Sequence, residues 1–163
     1  MSLNNEERKA IVEFRIEKAI RAFNEAKGVI KLGYWETIAN RLYYAAYNAV
    51  SALLIANGDT AQTHSGVIHL FGLRFIKTGV LSSDMGKLFH SLFTMRQTGD
   101  YDDTYGLTED DVIPNVEPTG KFIDEVTTLA KELLNEEINN ETNHQIVGAI
   151  RHKNTHKGAG CGF

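Results

Sequence analysis

The sequence predicts an all-α fold, an up-and-down bundle of four to five helices, and three observations predict it. Apolar residues recur at spacings of three and four through five separate segments, as on one face of a helix. No run alternates apolar and polar residues over six positions beside a hairpin turn, so strand signals are almost absent. The two prolines, Pro114 and Pro118, leave residues 1 to 113 free of proline, which favours long helices.

Two amphipathic helices are predicted first. The first begins at Asn4 or Asn5, which are plausible N-caps, and weakens after Gly28. The second runs from about Trp35 to Asn57, and its many alanines let a neighbouring helix approach closely. The predicted core-facing residues are Val12, Ile16, Ala19, Phe23, Ala26 and Ile30 in the first helix, and Ile38, Leu42, Ala45, Ala49, Leu53 and Ala56 in the second.

Three further helices complete the predicted bundle. Thr63 is a candidate cap for the third, Ser82 or Ser83 caps the fourth, and the fifth follows the two prolines. Most of residues 100 to 111, which contain six acids and no Lys or Arg, is predicted to be a solvated loop. The predicted apolar stripes are His64, Ile68, Phe71 and Phe75; Met85, Leu88, Leu92 and Met95, widened by Phe89 and Phe93; and Phe122, Val126, Leu129 and Leu133.

Composition and charge place the chain in a broad class. Its 163 residues, 42% of them hydrophobic, are enough for one domain with a sizeable core. No apolar run reaches the roughly 18 residues of a membrane span, and MSLNNEERKA is no signal peptide, so we expect a cytoplasmic protein without membrane contact. A single cysteine, Cys161, excludes an internal disulfide and a cysteine-based zinc site.

The net charge of -4 is distributed unevenly along the chain. Residues 1 to 142 contain 14 basic and 21 acidic residues, whereas residues 143 to 163 contain three basic residues and no acid. We expect residues 1–142 to form the helical domain and residues 143–163 a basic, flexible tail, at most weakly helical around 146 to 150. A mildly acidic chain does not hold nucleic acid by a broad basic surface, so any anion must be bound locally.

The second predicted helix contains a polar series within apolar surroundings. Arg41, Tyr44 and Asn48, at i, i+3 and i+7, share one face, and Tyr43 and Tyr47 form a neighbouring i, i+4 pair. Arg41, Tyr44 and Asn48 are candidates for binding an anion together with an aromatic base. The alternative is a helix flank whose tyrosines cover the edge of the core and whose arginine extends to water.

The fourth predicted helix ends with a second candidate group. Arg96 continues the face of Phe89 and Phe93, and Asp100 and Tyr101 follow it. An arginine on an apolar face is either paired with a carboxylate, here Asp100, or positioned to meet an anion at a groove. The two interpretations stay open at this point.

The histidines and the known ligand-binding motifs add little evidence about function. His64 begins the third helix and is either a structural group or an acid/base. His69 and His90 lack carboxylates at ligand spacing, so no metal site is expected. The chain has no P-loop, dinucleotide-binding or nucleophile-elbow motif, and no cofactor is expected.

These residues together resemble the HEPN superfamily (higher eukaryotes and prokaryotes nucleotide-binding), in particular its small single-domain prokaryotic members. The resemblance lies in residues 40–49, NRLYYAAYNA, in Thr63-His64 before a helix, and in Arg96 with Asp100-Tyr101. It covers roughly residues 5 to 137. It implies a bundle whose second and fourth helices line a groove, commonly completed by a second copy in a homodimer. It also implies a partner, a minimal nucleotidyltransferase of a toxin–antitoxin pair, or a role as a ribonuclease or a non-catalytic nucleotide- or RNA-binding module.

The chain departs from the ribonuclease members after Arg96, and it also has Asn48 where relatives often have a histidine. Those members carry a histidine four to six residues after the arginine, but Arg96 is followed by Asp100 and Tyr101, with no histidine between residues 91 and 143. A tyrosine with a pKa of about 10 transfers protons poorly at neutral pH. Arg96, Asp100 and Tyr101 are therefore candidate catalytic residues only, and the sequence leaves open whether the protein is an enzyme.

Three functions follow from the sequence. The leading one is binding of a nucleotide or single-stranded RNA, in which arginine holds phosphate and tyrosine stacks on a base. The second is a metal-independent ribonuclease that uses Arg96, with His64 or Tyr101 as acid/base. The third is a structural dimerisation module without a ligand, whose polar groove is an ion-pair network. The predicted binding residues are Arg41, Tyr44, Asn48 and His64.

Overall fold

A computed structural model describes the backbone of residues 3–101 and 106–155, and the side chains of these residues except Tyr101 and residues 149–155. All regular secondary structure in this part of the chain is helical, which confirms the predicted all-α bundle. None of the helices within it combines the length and the apolar character that crossing a membrane requires.

Six α-helices lie in the described ranges. Local capping explains where two of them begin: the Asn4 side chain accepts a hydrogen bond from the Glu7 backbone N–H, and Thr63 does the same for Gly66. Short 3₁₀ turns cover Ile30–Leu32 and Ile113–Asn115, and the third helix continues as a π-helical turn over Gly72–Ile76. The helices are α1 (Asn5–Gly28), α2 (Trp35–Ala56), α3 (His64–Phe71), α4 (Ser83–Tyr101), α5 (Glu109–Val112) and α6 (Val116–Thr155).

Helix α2 is the central helix of the bundle and packs against α1, α3, α4, α5 and α6. Its sequence explains this position, because small and apolar residues occur on all its sides and let neighbouring backbones approach. All six residues of its predicted stripe are buried, which confirms that prediction. Polar side chains on α2 therefore lie within reach of several helices at once.

Helices α1 and α6 run antiparallel. Near the start of α1, Nη1 of Arg8 lies 2.8 Å from Oε2 of Glu137, far along α6. Near the other end of α1, Phe23 packs so closely against Gly120 that a Cβ atom there would lie 2.9 Å from the phenyl ring. The two contacts fix the direction of the last helix against the first.

Helices α2 and α4 also run antiparallel. Gly99, near the end of α4, packs against Glu36 in the first turn of α2, and a Cβ atom at Gly99 would lie 3.5 Å from the Glu36 side chain. Further along α2, Tyr43 contacts Phe89 and Phe93 of α4. This arrangement brings the end of α4, where Arg96 lies, beside the first half of α2.

The described part of residues 100 to 111 contains more helix than the sequence predicts. Asp100 belongs to α4, and residues 109–112 form α5; residues 102–105 lie outside the described part of the chain. Helix α5 begins with a capping box, in which the backbone N–H and the hydroxyl of Thr108 both donate to Oδ2 of Asp111 at 2.9 Å. These hydrogen bonds lower the pKa of the Asp111 carboxyl below its usual value. Helix capping thus orders a segment whose charge suggested a loop.

Helix α6 differs from its prediction in its buried face and in its length. Phe122 and Val126 are buried as expected, but Ala130 and Leu134 take the buried positions further along, and Leu129 and Leu133 are half-buried. The helix continues to Thr155, through part of the predicted tail, and no proline after Pro118 interrupts it. Residues 139 to 148 are exposed. The division of the chain at residue 142 stays a prediction, and residues 156–163 lie outside the described ranges.

Candidate functional site

Tyr43 and His64 form the buried base of the candidate site. Tyr43 is fully buried, and its hydroxyl lies 2.7 Å from Nδ1 of His64, the first residue of α3. The imidazole stacks on the ring of Tyr47, with 4.4 Å between ring centroids. Burial, helped by the neighbouring Tyr47, raises the pKa of Tyr43 well above its usual value, so the hydroxyl keeps its proton. We therefore assign the hydroxyl as the donor to Nδ1, which places the imidazole proton on Nε2.

Arg96 of α4 lies against two tyrosines of α2. Its guanidinium carbon is 5.5 Å from the ring centroid of Tyr43 and 5.2 Å from that of Tyr44, both within cation–π range. Its Nε is 3.0 Å from Oδ2 of Asp100, yet among the described residues this buried Nε makes no well-aligned hydrogen bond. The pair is therefore mainly Coulombic, and the guanidinium keeps donor capacity for another acceptor.

Arg41 of α2 also lies over the ring of Tyr44. Its guanidinium carbon lies 5.3 Å from the ring centroid of Tyr44. The group donates to Oδ1 of Asn40 at 2.7 and 3.1 Å, and its Nη1 is 3.6 Å from a carboxylate oxygen of Glu25 on α1. Two arginines from different helices thus lie over one tyrosine ring. We call Arg41, Tyr43, Tyr44, His64 and Arg96 the arginine–tyrosine cluster.

Asn48 lies on the α1 side of α2. Its Nδ2 donates to the backbone carbonyl of Tyr44 at 2.8 Å, and its Oδ1 accepts a hydrogen bond from Nη1 of Arg15 at 3.2 Å. The amide is buried, and both of its polar atoms have partners. Asn48 therefore connects α2 to α1, and Arg15 is held beside the predicted site by this contact.

We expect the pKa of His64, measured by NMR titration, to lie below its ordinary 6.5, because burial and then the charge of Arg96 disfavour the imidazolium. The unfolded chain then binds more protons than the folded chain as pH falls through 6.5, so acidification lowers the free energy of unfolding, and the loss levels off below the folded pKa. In urea unfolding, His64→Gln should lose less stability than the wild type between about pH 7.5 and 5.5. Equal losses would contradict this assignment.

The structure brings most of the predicted site residues together. The ring of Tyr44 is contacted by Arg41, His64 and Arg96. Asp100 pairs with Arg96, and Asn48 lies behind Tyr44, toward α1. The side chain of Tyr101 lies outside those described. Within the described ranges, no group of three His, Cys, Asp or Glu residues could hold a metal ion.

Sequence reasoning missed three contributors to the site. Tyr43 and Tyr47 were interpreted as a neighbouring pair, but they contact His64 directly. Arg15 lies outside the predicted apolar stripe of α1, and the sequence pattern assigns it no role. The four-residue spacing of the two tyrosines indicates one shared face, but the identity of the helix that packs on this face comes only from the fold.

A family model described as the HEPN domain matches residues 12–141. The chain belongs to the HEPN domain family. This match confirms the resemblance that residues 40–49 and Arg96 carry. It spans α2, α3 and α4 completely, and therefore every described residue of the arginine–tyrosine cluster.

The chain is similar to several known proteins and to one solved structure. A UPF0332 protein of Thermotoga maritima is 33% identical over 127 residues, which cover 78% of this HEPN chain and 96% of the relative. A Methanocaldococcus jannaschii protein named "Putative toxin MJ0605" is 26% identical over 133 residues, covering 82% and 98% of the two chains. The crystal structure of TT1696 from Thermus thermophilus has a TM-score of 0.57 at 17% identity, over 75% of this chain and 97% of that chain, and so shares the fold.

Proposed function

We propose that this HEPN protein binds a nucleotide or single-stranded RNA at the arginine–tyrosine cluster and is the toxin-side member of a two-gene toxin–antitoxin pair. Its partner in the proposal is a minimal nucleotidyltransferase, and its own form is a cytoplasmic homodimer. The observation that carries the proposal is the position of two guanidinium groups, Arg41 at 5.3 Å and Arg96 at 5.2 Å, over the ring of Tyr44. The relative named as a putative toxin supports the biological setting.

The chemistry of the cluster suits a phosphate next to a base. An arginine guanidinium offers a planar fork of donors that can hold two phosphate oxygens at once, and a tyrosine ring can stack on a base. Asp100 and Glu25 neutralise the arginines locally in the free protein, at 3.0 and 3.6 Å. A phosphate that takes over these donors would meet positive charge in a chain that is acidic as a whole.

A metal-independent ribonuclease is the second candidate, and one observation favours it. His64 is held neutral at pH 7 by burial and by Arg96, which lower its pKa, so its imidazole is in the state that can accept a proton, close to a cation that can stabilise a phosphorane. The hydrogen bond from Tyr43 occupies Nδ1, which leaves only Nε2, in its protonated tautomer, toward other partners. A base in this tautomer would first have to rearrange, and binding is therefore the proposed function.

The proposed function is tested by titrating the purified chain with AMP and with a short oligoadenylate at low salt. The expected result is a melting temperature that rises with ligand concentration, as binding to the folded state alone requires. No shift with either ligand, together with no RNA retained in a filter assay, would contradict the proposal. The RNA recovered from the same samples separates the two candidates, because shortened RNA that is absent with Arg96→Ala selects the ribonuclease.

A further inference from the structure

A small groove opens between α1 and α2. It has a volume of about 230 Å³ and ends at Arg41 and Tyr44, which also belong to the arginine–tyrosine cluster. On α1, Lys18, Ala22 and Glu25 follow at i, i+4 and i+7, with Arg21 beside them, so one helix face supplies that wall. The buried side chain of Ala22 ends at Cβ, and this leaves the depression open.

The groove concentrates positive charge. Three cations, Lys18, Arg21 and Arg41, line it against one carboxylate, Glu25. A fourth cation, Arg15, is held at its edge by the hydrogen bond to Asn48. This local excess stands out because residues 1 to 142 as a whole carry more acids than bases. An anion near this part of the surface is therefore drawn to the groove.

We propose that the groove between α1 and α2 is a second phosphate subsite, which takes the neighbouring phosphate of a polynucleotide whose base stacks at Tyr44. The inference rests on the proposed function and deepens it, because it selects a single-stranded oligonucleotide over a mononucleotide. Lys18 and Arg21 become binding residues, and α1 becomes part of the nucleic-acid surface.

The size of the groove supports a phosphate rather than a whole nucleotide. Sites that enclose a small molecule typically have about 300–1,000 Å³, and the groove is smaller than that. Arg41 and Tyr44 belong both to the groove and to the cluster, so the two sites are contiguous. A ligand with one phosphate at Arg96 and the next in the groove must carry more than the single phosphate of AMP.

The carboxylate of Glu25 competes with a phosphate for Arg41 in this subsite. This carboxylate lies 3.6 Å from Nη1 of Arg41, and the Glu25 side chain is 48% exposed, so the pair is loose and well solvated. A phosphate entering the groove displaces this carboxylate from Arg41 or is repelled by it. Removing the negative charge of Glu25 should therefore strengthen binding, an effect that loss of packing does not produce.

The test compares AMP with a short oligoadenylate, by fluorescence titration of the full chain at several salt concentrations. Lys18→Ala/Arg21→Ala should weaken oligoadenylate binding about tenfold or more and leave AMP binding within about twofold. It should also reduce the salt dependence, because each lost phosphate contact removes about 0.7 from the slope of log K against log salt. Glu25→Gln should tighten oligoadenylate binding. Lys77→Ala/Lys87→Ala, which removes two lysines at the other end of the bundle, is the matched control.

Each outcome decides the inference. If AMP and oligoadenylate bind the wild type but Lys18→Ala/Arg21→Ala behaves as the control does, the subsite is wrong and the proposed function stands. If neither ligand binds the wild type, both are wrong. If Glu25→Gln weakens oligoadenylate binding, the groove does not hold an anion and the subsite is overturned.

Discussion

Replacing Arg96 with alanine is expected to weaken nucleotide or RNA binding about tenfold to a hundredfold. A hydrogen bond to a charged group contributes about 1.5–3 kcal/mol, and Arg96 brings its guanidinium to 5.2 Å from the ring centroid of Tyr44. The change removes both the charge and the fork of donors. Equilibrium titration with oligoadenylate measures the loss, and induced expression in a bacterial host should arrest growth with the wild type but not with this variant.

Two further variants separate binding from folding. Arg74 also pairs with a carboxylate, Asp59 at 3.2 Å, but on the surface near the end of α3, so Arg74→Ala should leave binding unchanged. Arg96→Lys keeps the charge without the planar fork and should recover only part of the affinity. If Arg96→Ala binds as tightly as Arg74→Ala while both melt near the wild-type temperature, Arg96 does not contact the ligand.

Replacing Phe89 with alanine should lower the free energy of unfolding by about 3–5 kcal/mol, the usual range for truncating a buried phenylalanine. Phe89 of α4 is 1% exposed, and its ring centroid lies 6.1 Å from Tyr43 on α2, 5.5 Å from Phe71 on α3 and 5.9 Å from Phe122 on α6. Its removal leaves a cavity where four helices meet. Against the roughly 5–15 kcal/mol typical of a folded domain, the loss is large, and urea unfolding measures it.

The chain itself supplies a control for this change. Phe14 on α1 is 56% exposed, and the Lys18 ammonium lies 5.3 Å from its ring centroid. Phe14→Ala removes the same atoms without opening a cavity and should change stability by less than about 1 kcal/mol. Similar losses for the two variants would show that Phe89 is not the centre of the core.

The sequence predicted the fold well where one helix carries its own signal. The stripe of α2 is buried throughout, and the cap at Thr63 is present, because spacing and capping are local properties. The buried face of α6 was only half predicted. Leu129 and Leu133 fit a helical spacing as well as Ala130 and Leu134 do, and only packing against α1 and α2 decides between them.

The site shows the same division between local and tertiary information. Arg41, Tyr44 and Arg96 stand out in the sequence because polar residues interrupt apolar faces. The role of Tyr43 depends on α3, which brings His64 over it, and the groove beside Lys18 depends on how α1 lies against α2. Neither juxtaposition follows from periodicity. The capping box of Thr108 and Asp111, in contrast, is a signal that the sequence does contain.

The length of α6 has a consequence for how its last part stays helical. The contact between Arg8 and Glu137 lies one turn from the start of α1, so the residues of α6 beyond about 140 pass the end of that neighbour. An isolated helix as short as these last turns, about 15 residues, is marginal in water because nucleation is unfavourable. The packed part of α6 supplies the nucleus, and the exposed turns add only propagation steps. Their helix–coil equilibrium therefore responds to temperature and solvent turn by turn, while the bundle unfolds cooperatively.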